Sequence, residues 1–137
     1  MLVDDLGDYL SSQAGLTLGT DLFLGQMPDT PDSATCVYES GGLSPIKAMG
    51  NVAGAAKVER PRVHIVRRGA QCGYEDARAT AHAVFMKMDG FPTRSINGIS
   101  YFWGSALQSP FLRGVDEQGR PEIACNYQLE RQMSSST

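Results

Sequence analysis

The apolar residues of this chain follow a helical period in two stretches and alternate with polar residues in several others. Near the N-terminus they fall on one stripe, which predicts a helix over residues 2–13. The stripe consists of Leu2, Val3, Leu6, Tyr9 and Leu10. Asp4, Asp5 and Asp8 are expected to face solvent near the first turn, where the helix dipole favours carboxylates, and Gly15 is expected to end the helix.

A second helix is predicted over residues 74–88, where the apolar period is clearest. Its expected core stripe is Ala77, Ala81, Val84, Phe85 and Met88. The opposite side is also small and apolar, with Ala79, Ala83 and Met86 beside His82. Alanine is tolerated on exposed helix faces, so this side has an ordinary explanation. Because Met86 adds apolar area, we favour a contact between subunits here.

Period-two alternation predicts strands or short extended segments at several places: 21–25, 34–39, 62–68, 99–107 and 123–129. The pair Asn97-Gly98 between two short apolar runs predicts a type I′ hairpin turn. Pro28 and Pro31 are expected to separate the first two segments. Pro61 is expected at the first position of its strand, where its missing N–H removes no ladder hydrogen bond.

Residues 40–58 are rich in glycine and small side chains and show no sustained period. This composition predicts a long mobile loop, and such loops are often functional. The loop carries Lys47 and the apolar residues Ile46, Met49 and Val52, which a free loop would expose. We therefore expect the loop to become ordered on a partner.

Residues 106–122 predict a Ser-Pro break, a polar turn that contains glycine, and a return into the strand at 123–129. The expected structure is a β-hairpin arm with a solvated polar tip. The candidate contact residues on this arm are Arg113, Asp116, Glu117 and Arg120.

These elements predict an α+β fold, since no regular βαβ alternation is present. We expect a mostly antiparallel, mixed sheet with two helices packed on one face, together with the mobile loop and the hairpin arm. The expected domain covers residues 1–130, and 131–137 form a disordered tail. The other sheet face is either polar and hydrated or covered by a neighbouring subunit.

Composition excludes several functional classes. The longest apolar runs fall well short of the ~20 residues that span a membrane, so a soluble, cytoplasmic protein is predicted. Three widely spaced cysteines are typical of a reducing compartment. The net charge of -3 argues against specific nucleic-acid binding, which needs clustered cations.

Residues with catalytic chemistry do not form a known motif. Cys36, Cys72 and Cys125 are candidate nucleophiles with His64 or His82 as base, but the first and last cysteines lie in alternating strands and are better explained as small buried hydrophobes. The cysteines lack metal-site spacing, and residues 116–119 are too few for a calcium loop. We therefore predict no catalytic residue, no metal, no cofactor and no enzymatic activity.

A basic set flanks the strand at 62–68 and consists of Arg60, Arg62, Arg67 and Arg68. These residues either contact phosphate, line a hydrated strand margin or form salt bridges between subunits. Because the chain is acidic overall and no aromatics are interleaved, we favour salt bridges over phosphate contact. Arg60, Arg62 and Arg67 therefore join the helix side at 79–86 as candidate interface residues.

Several short motifs along nearly the whole chain together resemble the phage tail-terminator family, whose members are also called minor capsid proteins of long-tailed phages. In order they are Val3-Asp4-Asp5-Leu6, Gly19-Thr20-Asp21-Leu22-Phe23, Glu59-Arg60-Pro61, Tyr74-Glu75-Asp76-Ala77-Arg78, Leu107-Gln108-Ser109-Pro110-Phe111, Gly119-Arg120-Pro121 and Asn126-Tyr127. Their order and spacing carry the resemblance.

The resemblance implies a virion protein that forms a ring, expected to be a hexamer, at the head-proximal end of the tail tube. Such a ring stops tube polymerisation and joins the tail to the head, after assembly in the host cytoplasm. The implied partners are further copies of the chain, the tail tube protein and the connector or neck protein. The loop at 40–58 and the arm at 111–122 are the candidate contacts along the tail axis.

Other functions remain open on the sequence alone. A head-completion or neck adaptor on the portal side has the same size and a similar structural role. A small-molecule-binding or catalytic α+β domain is a further alternative, and a DNA-binding module is the least favoured because of the charge.

Overall fold

The computed structural model describes residues 2–47 and 57–132. It contains two helices and seven strands in a mixed sheet, which confirms the predicted α+β class. In chain order the elements are α1 (Leu2–Gln13), β1 (Leu22–Leu24), β2 (Ala34–Lys47), β3 (Lys57–Arg68), α2 (Tyr74–Met88), β4 (Arg94–Ile96), β5 (Ile99–Ala106), β6 (Phe111–Val115) and β7 (Pro121–Gln132).

The strands lie in the order β1-β2-β3-β7-β5-β4, and β6 pairs with β7 beyond the end of β5. The β1–β2 pair is parallel, and the other pairs are antiparallel. Residues 107–110 separate β5 from β6, which follow each other along the same edge of β7. The sheet is therefore mostly antiparallel, as predicted.

Both helices pack on one face of the sheet and share a core with it. On the sheet side the core includes Val37, Val63, Ile65, Tyr127 and Leu129. The helices contribute residues from both predicted stripes: Leu2, Leu6, Tyr9 and Leu10 from α1, and Val84 and Met88 from α2. Burying these apolar side chains supplies the main driving force for the fold.

The local sequence signals set the element boundaries well. Both helices begin and end close to the predicted residues, and Gly15 follows α1 with a φ of 72°. Asn97 and Gly98 both have positive φ, 52° and 81°, as a type I′ turn requires. The predicted hairpin between β6 and β7 is also present.

The prediction of a mobile loop at 40–58 is wrong for much of this segment. β2 continues to Lys47 and β3 starts at Lys57, so the two strands form a long hairpin. The register shifts between Ser40 and Leu43, and again between Leu43 and Ile46. These irregularities disrupt the period-two pattern, which explains why the sequence hides the strands. Residues 48–56 lie outside the described part of the chain.

Two further local expectations are corrected. Pro61 lies inside β3 and not at its first position. It is next to the register shift between Ser40 and Leu43, and it has no register partner on β2 or β7. Asp5 is buried in α1 and does not face solvent. At the other end of the chain, β7 includes Arg131 and Gln132, and residues 133–137 are not described.

Candidate functional site

The outer side of α2 is the first candidate assembly surface. Ala79, His82, Ala83 and Met86 are all exposed there, and Met86 has 61% of its surface accessible. The buried side holds Ala77, Ala81, Val84 and Met88. The helix thus presents a small apolar surface to solvent on the side opposite its core stripe, as the sequence predicts.

The β6–β7 turn is exposed at its tip, as expected for the hairpin arm, but it is held at one end by a buried arginine. Arg120 is 5% exposed, which corrects its assignment as a free contact residue. Its guanidinium binds the carboxylates of Asp116 at 2.7 Å, Asp29 at 3.0 Å and Asp32 at 3.2 Å. The turn is therefore fastened to the segment that connects β1 with β2, and Glu117 is exposed at its tip.

Asp116 organises this turn through its carboxylate. Oδ1 accepts hydrogen bonds from the main-chain N–H groups of Gln118 and Arg120, both at 2.9 Å. The N–H of Arg120 lowers the pKa of Asp116 most, and the Arg120 guanidinium and the N–H of Gln118 lower it further. Asp116 therefore holds its own turn as a charged group.

A second arginine fastens the same connecting segment. Arg68 is buried at the end of β3 and donates to the main-chain carbonyls of Asp29, Pro31 and Asp32. The sequence-based preference for salt bridges between subunits does not apply to this residue, because its guanidinium is used within the chain.

Arg113 lies on the sheet face opposite the helices. Its Nη1 is 3.1 Å from His64 Nε2, and its Nη2 donates to Glu122 at 3.0 Å. Since arginine only donates, Nε2 accepts and the His64 proton lies on Nδ1, which is 2.7 Å from Asn126 Oδ1. Arg113 is exposed, and its position on the outer sheet face keeps it a candidate contact residue.

This outer face is largely polar between β2, β3 and β7. The cross-strand row Tyr38–His64–Asn126 is half-buried. Burial raises the pKa of Tyr38 to about 12, so its hydroxyl stays protonated at neutral pH. Hydrogen-bonding side chains thus cover this part of the sheet in the single chain.

The remaining basic candidates occupy different environments. Arg62 donates to Gln128 Oε1 at 3.2 Å on the outer face. Arg60 lines a cleft of ≈ 290 Å³ with Pro61 and Arg131. Arg67 lies on the helix-bearing face, where Nη1 donates to Thr35 and the buried Nε has no partner among the described residues. The structure therefore does not bring Arg60, Arg62 and Arg67 together as one patch.

Burial lowers the pKa of Arg67, and the carboxylates of Asp21 and Asp76 act in the opposite direction. Asp76 belongs to the first turn of α2 and Asp21 precedes β1. Arg67 thus lies in an acidic setting where the helix start approaches the sheet.

A buried ionic network beside α1 has no clear signal in the sequence. Asp5 is 1% exposed and accepts hydrogen bonds from Tyr101 at 2.5 Å and from Asn97 at 2.8 Å. Arg131 donates to Tyr101 and forms a 2.7 Å ion pair with Glu59. The network joins α1 to the β4–β5 turn and to β7, so its role is structural.

The candidates from the predicted loop divide into two groups. Ile46 and Lys47 lie at the end of β2, where their backbones pair with Val58 and Lys57 of β3. Met49 and Val52 lie outside the described residues.

The cysteines and acidic groups offer little for chemistry. Cys36 and Cys125 are buried, and burial raises the pKa of both thiols. Cys72 is exposed in the turn before α2. Within residues 2–47 and 57–132, no group of three or more His, Cys, Asp or Glu side chains is placed to hold a metal ion. No helix in this part of the chain has the length and apolarity to cross a membrane.

Comparison with known families gives the identity that this geometry leaves open. A family model described as the bacteriophage tail terminator protein matches residues 9–133. The chain belongs to the bacteriophage tail terminator family. Membership assigns it a structural role in the phage tail, as a virion component that assembles with other virion proteins, and gives no support for an enzymatic role.

Solved structures share the fold of this chain at low sequence identity. A chain of the virion of a native gene transfer agent particle is 17% identical, with a TM-score of 0.52, over 84% of this chain and 81% of that chain. A second protein, whose name states no function, is 13% identical, with a TM-score of 0.53, over 93% and 89% of the two chains. Among functionally curated proteins, none matches the sequence significantly.

Proposed function

We propose that copies of this chain form a ring that binds to the last ring of the phage tail tube. The family resemblance implies that the new ring contains six subunits. The ring stops tube polymerisation and presents the surface to which the filled head binds. The observation that carries this proposal is the family match over residues 9–133. The fold shared with a chain of a gene transfer agent virion supports it.

A closed ring needs two different surfaces on each subunit, because its contacts run head to tail. The outer side of α2 supplies one candidate, with Ala79, Ala83 and Met86 exposed and His82 beside them. Small side chains let a neighbouring backbone approach closely, and Met86 adds apolar area that contact with a subunit would bury.

We assign the contacts along the tail axis to two hairpins. The β2–β3 hairpin, which ends in Lys47 and Lys57, is one candidate for the tube or the connector. The exposed Glu117 and Arg113 on the β6–β7 hairpin are the other. Arg120 and Asp116 form an internal ion pair, and we assign them the role of positioning this hairpin.

Capping of growing tail tubes tests the proposal. Purified tubes are incubated with this protein and then supplied with fresh tube protein, and tube lengths are measured by electron microscopy. The proposal predicts that treated tubes keep their length and carry a ring at one end, while untreated tubes elongate. Equal elongation in both samples contradicts termination, and binding to isolated portal complexes without binding to tubes moves the protein to the head side of the joint.

A further inference from the structure

The sheet has open main-chain edges on opposite sides, and their positions differ. β1 covers β2 at Thr35–Val37, and from Tyr38 onward no described strand lies against the outer edge of β2. On the other side, β6 pairs with β7 alone, so its second edge is unpaired among the described residues. Unpaired strand edges are templates for pairing with another chain.

We propose that β6 of one subunit pairs with the open edge of β2 in the next subunit, so that the sheet continues around the ring. This inference rests on the proposed ring and specifies how it closes. The contact joins two different edges, as head-to-tail closure requires.

Strand direction agrees with this pairing. β6 runs antiparallel to β7, β7 antiparallel to β3, and β3 antiparallel to β2. Within one sheet β6 and β2 therefore run in opposite directions. If neighbouring subunits have the same orientation, the new pair is antiparallel, which is the more stable arrangement per residue.

The two edges also differ in level along the sheet. β6 is level with residues 121–124 of β7 and 66–68 of β3, while the open part of β2 faces residues 57–64 of β3. β1 of the neighbour is level with residues 65–67 of β3, which is nearly the level of β6. The contact is therefore offset along the strands, so that β6 lies beside β2 from Tyr38 onward and not beside β1. This offset lets β6 reach the open edge without displacing β1.

The side chains on β6 suit burial in such a contact. Phe111, Leu112 and Val115 are exposed by 38%, 48% and 59% in the single chain. Leu112 and Val115 pair with Ile123 and Pro121, which places Leu112 on the helix-bearing face with Ile123. Exposed apolar residues on an open edge are an aggregation hazard unless a partner covers them.

A recess also lies beside the open edge of β2. A cleft of ≈ 320 Å³ beside the strand is lined by Val3, Gly25, Tyr38 and Glu39. Glu39 pairs with the core residue Val63, so it lies on the helix-bearing face like Leu112. Pairing of two β6 strands about a two-fold axis is less suitable, because the central Arg113 residues oppose each other in the centred register.

Cysteine cross-linking in assembled tails tests this inference. The exposed Cys72 is replaced by Cys72→Ser, and Glu39→Cys is combined with Leu112→Cys or with Val115→Cys to cover two registers. Tails are purified from the parent phage that carries each double variant and oxidised with copper–phenanthroline. Glu39→Cys with Phe102→Cys, a comparably exposed position on β5, is the control.

The inference predicts covalent ladders up to the full ring in at least one of the two test pairs and none in the control. Tails of normal length that contain the protein but show no ladder in either pair overturn the strand pairing and leave the terminator role intact. Dimers formed by Leu112→Cys alone overturn it in favour of two-fold β6 pairing. Absence of the protein from tails that carry only Cys72→Ser contradicts the proposed function itself.

Discussion

The Asp5 carboxylate accepts a 2.5 Å hydrogen bond from the Tyr101 hydroxyl, across 96 positions of the chain. Burial, followed by this hydrogen bond, raises the pKa of Tyr101 above its ordinary value. The second Asp5 oxygen accepts from Asn97 in the turn that starts β5. One buried carboxylate thus fixes the first helix to the β4–β5 hairpin.

Replacing Tyr101 with phenylalanine should destabilise the fold by about 1.5–3 kcal/mol, because a buried carboxylate loses a hydrogen-bond donor. Urea unfolding of the purified protein measures this change. Tyr74→Phe is the matched control, since Tyr74 is 44% exposed and should change stability little. If Tyr101→Phe were as stable as the native protein, the hydrogen bond from Tyr101 to the buried Asp5 carboxylate would not contribute to the free energy of unfolding.

The sequence predicts the apolar stripe of α1 but not the burial of Asp5. Acidic residues in a first helical turn are usually explained by the helix dipole, and that rule places Asp5 in solvent. Its partners lie at Asn97, Tyr101 and Arg131, far along the chain, so no local pattern reveals them. Long-range polar pairs of this kind require the tertiary structure.

Ala83→Glu should leave the fold intact but prevent ring assembly. Ala83 is exposed opposite the core stripe of α2, so a carboxylate there is hydrated in the single chain and loses its water in a subunit contact. Circular dichroism checks the fold, and electron microscopy of tail ends checks for rings. The control is Ser11→Glu on the exposed side of α1. Rings that form normally with Ala83→Glu would remove this helix from the interface.

Acid should weaken the β6–β7 turn through Asp116. Because the folded state lowers the pKa of Asp116, its contribution is complete at neutral pH and is lost as the pH falls below about 4. Asp116→Asn should therefore lower stability at neutral pH and flatten the acid dependence of unfolding. Glu117→Gln at the exposed tip is the control, and identical acid profiles for the two variants would contradict this role.

Adjacent glycines in β2 should respond very differently to alanine. A Cβ on Gly42 lies 2.5 Å from the Arg60 carbonyl oxygen, whereas a Cβ on Gly41 meets no atom within 4 Å. Gly42→Ala should cost about 1–3 kcal/mol, since the backbone of β3 must shift, and Gly41→Ala should be nearly neutral. Thermal unfolding of both variants measures the difference. Similar melting temperatures for the two would show that the hairpin tolerates a wider separation at this register shift.

The same glycines explain why the sequence predicts a loop at 40–58. Gly41 and Gly42 lower strand propensity, and the register shifts around Leu43 interrupt the alternation that identifies a strand. The hairpin arm at 106–122 is easier to predict, because a Ser-Pro break and a polar turn that contains glycine precede an alternating strand. Even there, the burial of Arg120 depends on Asp29 and Asp32, which no local motif connects to it.

The candidate assembly surface was predictable only in part. The outer side of α2 follows directly from helical periodicity, because residues at i, i+4 and i+7 share one side. The open edges of β2 and β6 depend on strand order, which the sequence does not reveal for a sheet in which β7 lies between β3 and β5. The folded structure is therefore needed to identify which strands lie at the edges of the sheet.

Electron microscopy of a lysate in which the parent phage cannot make this chain tests the central claim most directly. A tail terminator predicts overlong or unattached tails beside heads filled with DNA, and restoration of normal virions when the native chain is supplied. Intact virions with tails of normal length in its absence would contradict the terminator role.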